Sequence, residues 1–198
     1  MIFWIASYPK SGNTLVRSIL SSYFFSSDGF FDFKLLKYIG QFPEKKYFES
    51  FNYNKNELTD TSKFWIDAQQ QINKDKKLKF FKTHNIFGKI DNRSFTNKEN
   101  SIGCIYIVRD PRNVITSLSN HYELDYNTSL QWILNEKKYI YDNREINDYG
   151  NFQFISSWSN NYNSWNKQQA MPIKVIRYED LVSKTYSVVK EIIEFIHR

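Results

Sequence analysis

Four short apolar runs, at 2–6, 78–81, 102–108 and 173–176, each end in a polar segment, and helical patterns fill the intervals between them. A continuous apolar run suits a strand buried on both faces, which is the habit of parallel sheets. Helices are predicted over 14–25, roughly 58–72, and 112–122, and across Ile155, Trp158, Tyr162 and Trp165, whose spacing of three and four sets them on one face. Residues 128–141 carry Leu130, Ile133 and Leu134 at helical spacing before a polar stretch at 142–150. Strand and helix alternate, so the expected fold is α/β: three layers, with a doubly wound parallel sheet flanked by helices. In such sheets ligands gather beyond the carboxyl ends of the strands, where Lys10, His84, Arg109 and Tyr178 fall.

The first strand runs into Tyr8-Pro9-Lys10-Ser11-Gly12-Asn13-Thr14 and then into a helix. Backbone N–H groups at a helix start lack intrahelical partners, and the helix dipole adds partial positive charge there. Gly12 permits close backbone approach, Lys10 adds a mobile charge, and Ser11, Asn13 and Thr14 offer side-chain donors. Phosphate or sulfate fits such a nest, although the segment alone also reads as an ordinary strand-turn-helix joint. It is not a Walker A loop, because the lysine precedes the only glycine. ATP hydrolysis is therefore disfavoured.

The third run ends in Arg109, followed by Pro111 at a position suited to the first turn of a helix, with Ser117 eight residues beyond the arginine. An arginine fork at a strand end and a serine two turns into the next helix can grip a phosphate monoester from two sides. The bland alternative is a surface ion pair between Arg109 and Asp110.

Together these segments resemble the two signature elements of sulfotransferases that use 3′-phosphoadenosine 5′-phosphosulfate, whose sheet is of the P-loop nucleotide-binding type. The resemblance implies that Lys10, Ser11, Gly12, Asn13 and Thr14 hold the 5′-phosphosulfate and that Arg109 and Ser117 hold the 3′-phosphate. Two further segments agree with it: Lys82-Thr83-His84 is similar to the family's K-T-H element, and Tyr178-Glu179-Asp180-Leu181 to its YEDL element. The implied activity is transfer of a sulfuryl group to a hydroxyl or amine of a small-molecule or glycan acceptor. His84 would be the general base, Lys10 would stabilise the leaving phosphate, Lys82 would neutralise the transferring group, and Tyr178 would contact the adenine.

Sulfuryl transfer needs a base and one or more cations but formally no metal. An unperturbed imidazole accepts a proton near neutrality, which suits His84. His121 competes, because it lies four residues after Ser117 on the same helix face, whereas His197 sits one residue from the end and is read as uninvolved. Two departures from the family are expected to matter. Leu15 stands where many relatives have a tryptophan packed on the adenine, so Trp4 or another aromatic would have to compensate. Residues 1–198 read as a single domain that is short at its carboxyl end, lacking the R-K-G type segment of the 3′-phosphate clamp. A catalytically inactive nucleotide-binding remnant is therefore the alternative reading, and a P-loop-type nucleotide kinase is a third.

The formal charge of +6 invites a nucleic-acid partner, but acidic residues interrupt the lysines throughout and no nucleic-acid module is recognisable. Lys74-Asp75-Lys76-Lys77 reads as a solvated turn. Cys104 is the only cysteine, so no internal disulfide forms, and its strand position implies a buried thiol. No run of 18 apolar residues occurs, and the expected location is cytoplasmic. Residues 28–56, rich in Phe, Tyr and Lys, show no sustained periodicity and are expected either to shape an acceptor pocket or to cover one sheet edge. Oligomeric state is not legible.

Overall fold

The computed structural model describes residues 1–141 and 148–198. The polar stretch expected at 142–150 therefore lies largely outside the described residues. Along the chain the elements are β1 (Ile2–Ser7), α1 (Asn13–Phe25), β2 (Gly40–Gln41), α2 (Trp65–Ile72), β3 (Lys79–Thr83), β4 (Lys89–Ile90), β5 (Arg93–Ser94), β6 (Ser101–Val108), α3 (Pro111–Tyr122), α4 (Tyr126–Leu134), β7 (Tyr139–Ile140), β8 (Gln153–Phe154), α5 (Trp158–Asn166), β9 (Ile173–Arg177), α6 (Tyr178–Ser183) and α7 (Thr185–Ile196). Five parallel strands form one sheet in the order β2-β3-β1-β6-β9. The four apolar runs are thus its four principal strands. Central β1 has β3 on one side and β6 on the other, so the order in which strands are added reverses beside it and a crevice opens past its carboxyl end.

Side chains on β1 alternate between two cores, as the strand period requires. Ile2, Trp4 and Ala6 pack with Trp65 of α2 and Trp165 of α5, while Phe3 and Ile5 pack with Val16 and Leu20 of α1 and Val188 and Ile192 of α7. Helices therefore cover both faces. Trp4 is fully buried, within 5.1 Å of the Phe95 ring centroid, and its indole donates to Ser101 Oγ at 2.7 Å. It is fixed in the core, which corrects the expectation that Trp4 might compensate at an adenine site.

Residues 28–56 do two things. Gly40–Gln41 adds the outermost strand to the sheet beside β3, and Phe42 and Phe48 are fully buried in the core, whereas Phe30 and Phe33 are each 77% exposed. The sequence gives no period for this because a two-residue strand is too short to show one. The expected helix at 58–72 starts as a 3-10 turn over Asp60–Phe64 before α2. Ile155 precedes α5 rather than belonging to it, since Ser157 caps that helix by accepting from the Asn160 N–H. Lys74-Asp75-Lys76-Lys77 is a turn as read, with Asp75 Oδ1 accepting from the Lys77 N–H at 3.0 Å.

Candidate active site

Three of the four principal strands end one residue before a residue singled out above, β3 before His84, β6 before Arg109 and β9 before Tyr178, and β1 ends three residues before Lys10. Beyond these ends lies a cleft of about 890 Å³, lined among others by Lys10, Gly12, Asn13, Thr14, Lys82, His84, Arg109 and Ser117. Ser11 and Tyr178 stand behind that wall.

The loop from Tyr8 to Gly12 has the backbone of an anion nest. Lys10 (φ 65°) and Gly12 (φ 99°) adopt left-handed conformations, which turn successive N–H groups toward one side. Gly12 occupies the N-cap of α1 without any side chain capping it, while Asp110, Asp125 and Ser157 cap α3, α4 and α5 with their own side chains. The first-turn donors of α1 are thereby left for a ligand. The Ser11 hydroxyl and Asn13 Oδ1 are buried without a hydrogen-bond partner. Asn13 Nδ2 turns inward instead, donating to the Ile5 carbonyl at 2.9 Å and to Ser7 Oγ at 3.2 Å. That amide ties the loop to β1.

Gly12 also answers a steric demand. A Cβ there would lie 2.3 Å from Cδ2 of Tyr178. The Tyr178 ring thus supports the loop from below, and the Arg109 guanidinium lies over that ring, 4.5 Å from its centroid. Arg109 donates to the Lys10 carbonyl at 2.9 Å, and its Nε is buried without a partner. Glu179 accepts from the Asp110 N–H at 2.9 Å. The Tyr178-Glu179 corner therefore braces both anion segments at once. The alternative pairing of Arg109 with Asp110 is not what forms: Asp110 binds Arg112.

His84 is held from three directions. Its N–H donates to Gln153 Oε1 at 2.9 Å, its carbonyl accepts from Asn161 Nδ2 at 3.0 Å, and Nδ1 lies 2.7 Å from the Ser7 carbonyl. A carbonyl only accepts, so Nδ1 carries the proton and Nε2 keeps the lone pair. Burial, with Lys82 and further cations nearby, holds its pKa well below the usual imidazole range. The lowered pKa keeps His84 neutral at pH 7. Lys82 is pushed down to about 8 by burial, with Arg17 and Lys10 adding to the shift, and the Lys10 pKa is lowered by burial and by Arg109. Cations crowded this closely without enough anions of their own favour an anionic ligand.

Several contributors escaped the sequence reading. Ser7 and Gln153 position His84 across separations of 77 and 69 residues, which no local pattern displays. Asn161 left a signal: a polar side chain spaced three and four from Trp158 and Trp165 sits on the buried face of α5, where it must have a partner. Arg17 donates to the Leu36 and Ile39 carbonyls at 3.1 and 2.7 Å, pinning residues 33–38 beside α1. His121 also lines the cleft, whereas His197 packs near Tyr23 and Phe24, 6.3 and 6.0 Å between ring centroids. Leu15 is 37% exposed. Of the two expectations for residues 28–56, the covering of one sheet edge is met by Gly40–Gln41, while Gln41 and Glu44 are the residues of this stretch that line the cleft.

No helix among the described residues is long and apolar enough to cross a membrane. No curated protein matches the chain at a significant level. Among solved structures it is similar to retinol dehydratase in a complex with retinol and PAP, with a TM-score of 0.52 and 17% identity. The likeness covers 98% of this chain and 59% of that one, so the chain spans about three fifths of that neighbour's length, and the match speaks for the fold. A family model described as the sulfotransferase domain matches residues 2–198, and the chain therefore belongs to the sulfotransferase domain family.

Proposed function

We propose that this cleft transfers a sulfuryl group from 3′-phosphoadenosine 5′-phosphosulfate to a hydroxyl or amine of a small-molecule or glycan acceptor. The observation that carries the reading is the geometry of His84: its Nδ1 proton is committed to the Ser7 carbonyl, so Nε2 is the basic atom, and it stands in a cleft with the cationic Lys10 and Lys82. The residues fit such a donor. The uncapped start of α1 and the buried, unpartnered Ser11 hydroxyl suit the 5′-phosphosulfate, and Arg109 with Ser117 suits a 3′-phosphate.

In the reaction the donor supplies the sulfuryl group. His84 Nε2 takes the proton from the acceptor hydroxyl as its oxygen bonds to sulfur, and the bond from sulfur to the bridging oxygen of the 5′-phosphate breaks. Lys10 and the loop N–H groups stabilise the charge that collects on the departing phosphate, and Lys82 neutralises the sulfuryl oxygens. Tyr178 serves mainly by holding Gly12 and Arg109 in place, with its hydroxyl end left to approach the adenine.

Calorimetry with adenosine 3′,5′-bisphosphate beside a radiolabelled sulfate transfer assay over a panel of phenols, sugars and amines tests this. Binding with transfer is expected. Binding without transfer to any acceptor would leave a nucleotide-binding domain that lacks catalysis, and a preference for ATP with magnesium would overturn the assignment.

A further inference from the structure

A second groove of about 510 Å³ opens beside the cleft, and the two share Tyr122, Ile140 and Tyr141. The remaining walls come from α4 and the following turn, including Trp132, Lys137, Lys138 and Tyr139. Tyr122 stacks on Trp132 at 4.9 Å between centroids, and Lys138 Nζ lies 3.6 Å from the Trp132 ring centroid. Tyr122, Tyr139 and Tyr141 are each 40% exposed, so aromatic surface remains open to a ligand. Burial lowers the pKa of Lys138. A half-buried ammonium lying over a ring face gains from an anion placed against it.

The groove is also tied mechanically to the reacting centre. Ile140 lies opposite Gln153 in the β7–β8 pair, and Gln153 Oε1 accepts from the His84 N–H. The groove wall is thereby linked to His84 through Ile140 and Gln153. Glu44, by contrast, is the carboxylate lining the main cleft, and it pairs with Lys46 at 2.7 Å. Negative charge on an acceptor is better accommodated toward Lys137 and Lys138 than on the Glu44 side.

We propose that this groove binds the distal part of the acceptor, and that this part is a ring bearing an anionic group, recognised by Lys137 and Lys138 among the tyrosines. This rests on the transfer reading of the main cleft and names the acceptor's class within it. A carboxylated sugar and an aromatic acid present the same chemistry.

The test is equilibrium binding to the protein saturated with adenosine 3′,5′-bisphosphate, repeated without nucleotide, using two matched pairs. One pair is 4-nitrophenyl β-D-glucuronide and its methyl ester; the other is 4-hydroxybenzoate and its methyl ester. At least one acid should bind about tenfold more tightly than its ester. That margin should vanish in the Lys137→Ala/Lys138→Ala double variant, with affinity for the bisphosphate unchanged, and persist in Lys138→Arg. Equal affinity for acid and ester in both pairs, or a margin that survives the double substitution, overturns the proposal. Failure to bind the bisphosphate would count against the transfer reading instead, and the comparison made without nucleotide still decides the groove.

Discussion

The proposed donor half and the proposed acceptor half of the site are built differently. On the donor side, three strand ends meet within a few residues of one another, and the contacts among them are backbone-directed: Arg109 to the Lys10 carbonyl, Glu179 to the Asp110 N–H, the Tyr178 ring under Gly12. On the acceptor side, the wall comes from α3, the turn after α4, and short β7, joined to the sheet region through β8 and Gln153. One half is a rigid cradle in which each part locks another. The other is a set of side chains carried by elements outside the five-stranded sheet, whose identity can change without disturbing it.

Substitutions sharpen this contrast. His84→Ala should cost the most, lowering turnover by about 10²–10⁴-fold while leaving bisphosphate binding near normal, as read by transfer rate beside calorimetry. Unchanged turnover would remove His84 from catalysis and erase the link between the two halves. Gly12→Ala should come next, because the new Cβ meets the Tyr178 ring at 2.3 Å in a left-handed backbone. The expected loss is about 1–3 kcal/mol of stability or donor affinity, checked by thermal unfolding and by calorimetry. Adding Tyr178→Ala should recover only the part due to the clash. An undamaged Gly12→Ala would mean that the cradle yields as easily as the acceptor wall.

The pH profile separates the two halves in another way. His84, with its pKa held well below 6.5, should keep the transfer rate flat down through pH 6.5, and the loss of charge on Lys82 should lower it as pH rises past about 8. The stability effect has the opposite sign at the alkaline end. Between about 8 and 10.5 the unfolded chain holds a proton on Lys82 that the folded chain has released, so stability increases with pH across that window. A rate that falls below pH 7 with an imidazole-like midpoint would contradict the neutral His84. The smallest effect is expected at Ser117→Ala, about 1 kcal/mol of bisphosphate affinity, measurable by calorimetry.

The same contrast governs what the sequence discloses. Lys10 to Thr14, Lys82 to His84, Arg109 and Tyr178 are legible because each begins within four residues of the end of an apolar run, so that one-dimensional position already gives placement at a sheet rim. The roles of some of them were less legible: Asn13 turns its amide inward, and Tyr178 works from behind the cleft wall. Ser7, Gln153 and Arg17 were invisible, since their partners lie across the fold. The aromatics at 28–56 look in one dimension like a pocket wall, but burial of Phe42 and Phe48 in the core takes them away from the cleft, and the second groove is lined instead by the end of α3, α4 and its following turn, and β7.

The central claim is that two separated anion pockets, the loop at Lys10–Thr14 and the corner at Arg109 and Ser117, hold one nucleotide. Calorimetric titration of adenosine 3′,5′-bisphosphate against adenosine 5′-monophosphate, on the wild-type protein and on Arg109→Ala, tests it most directly. The bisphosphate should bind about 10–100-fold more tightly to the wild type, and the gap should collapse in Arg109→Ala. Equal affinity of the wild type for the two nucleotides would contradict the account.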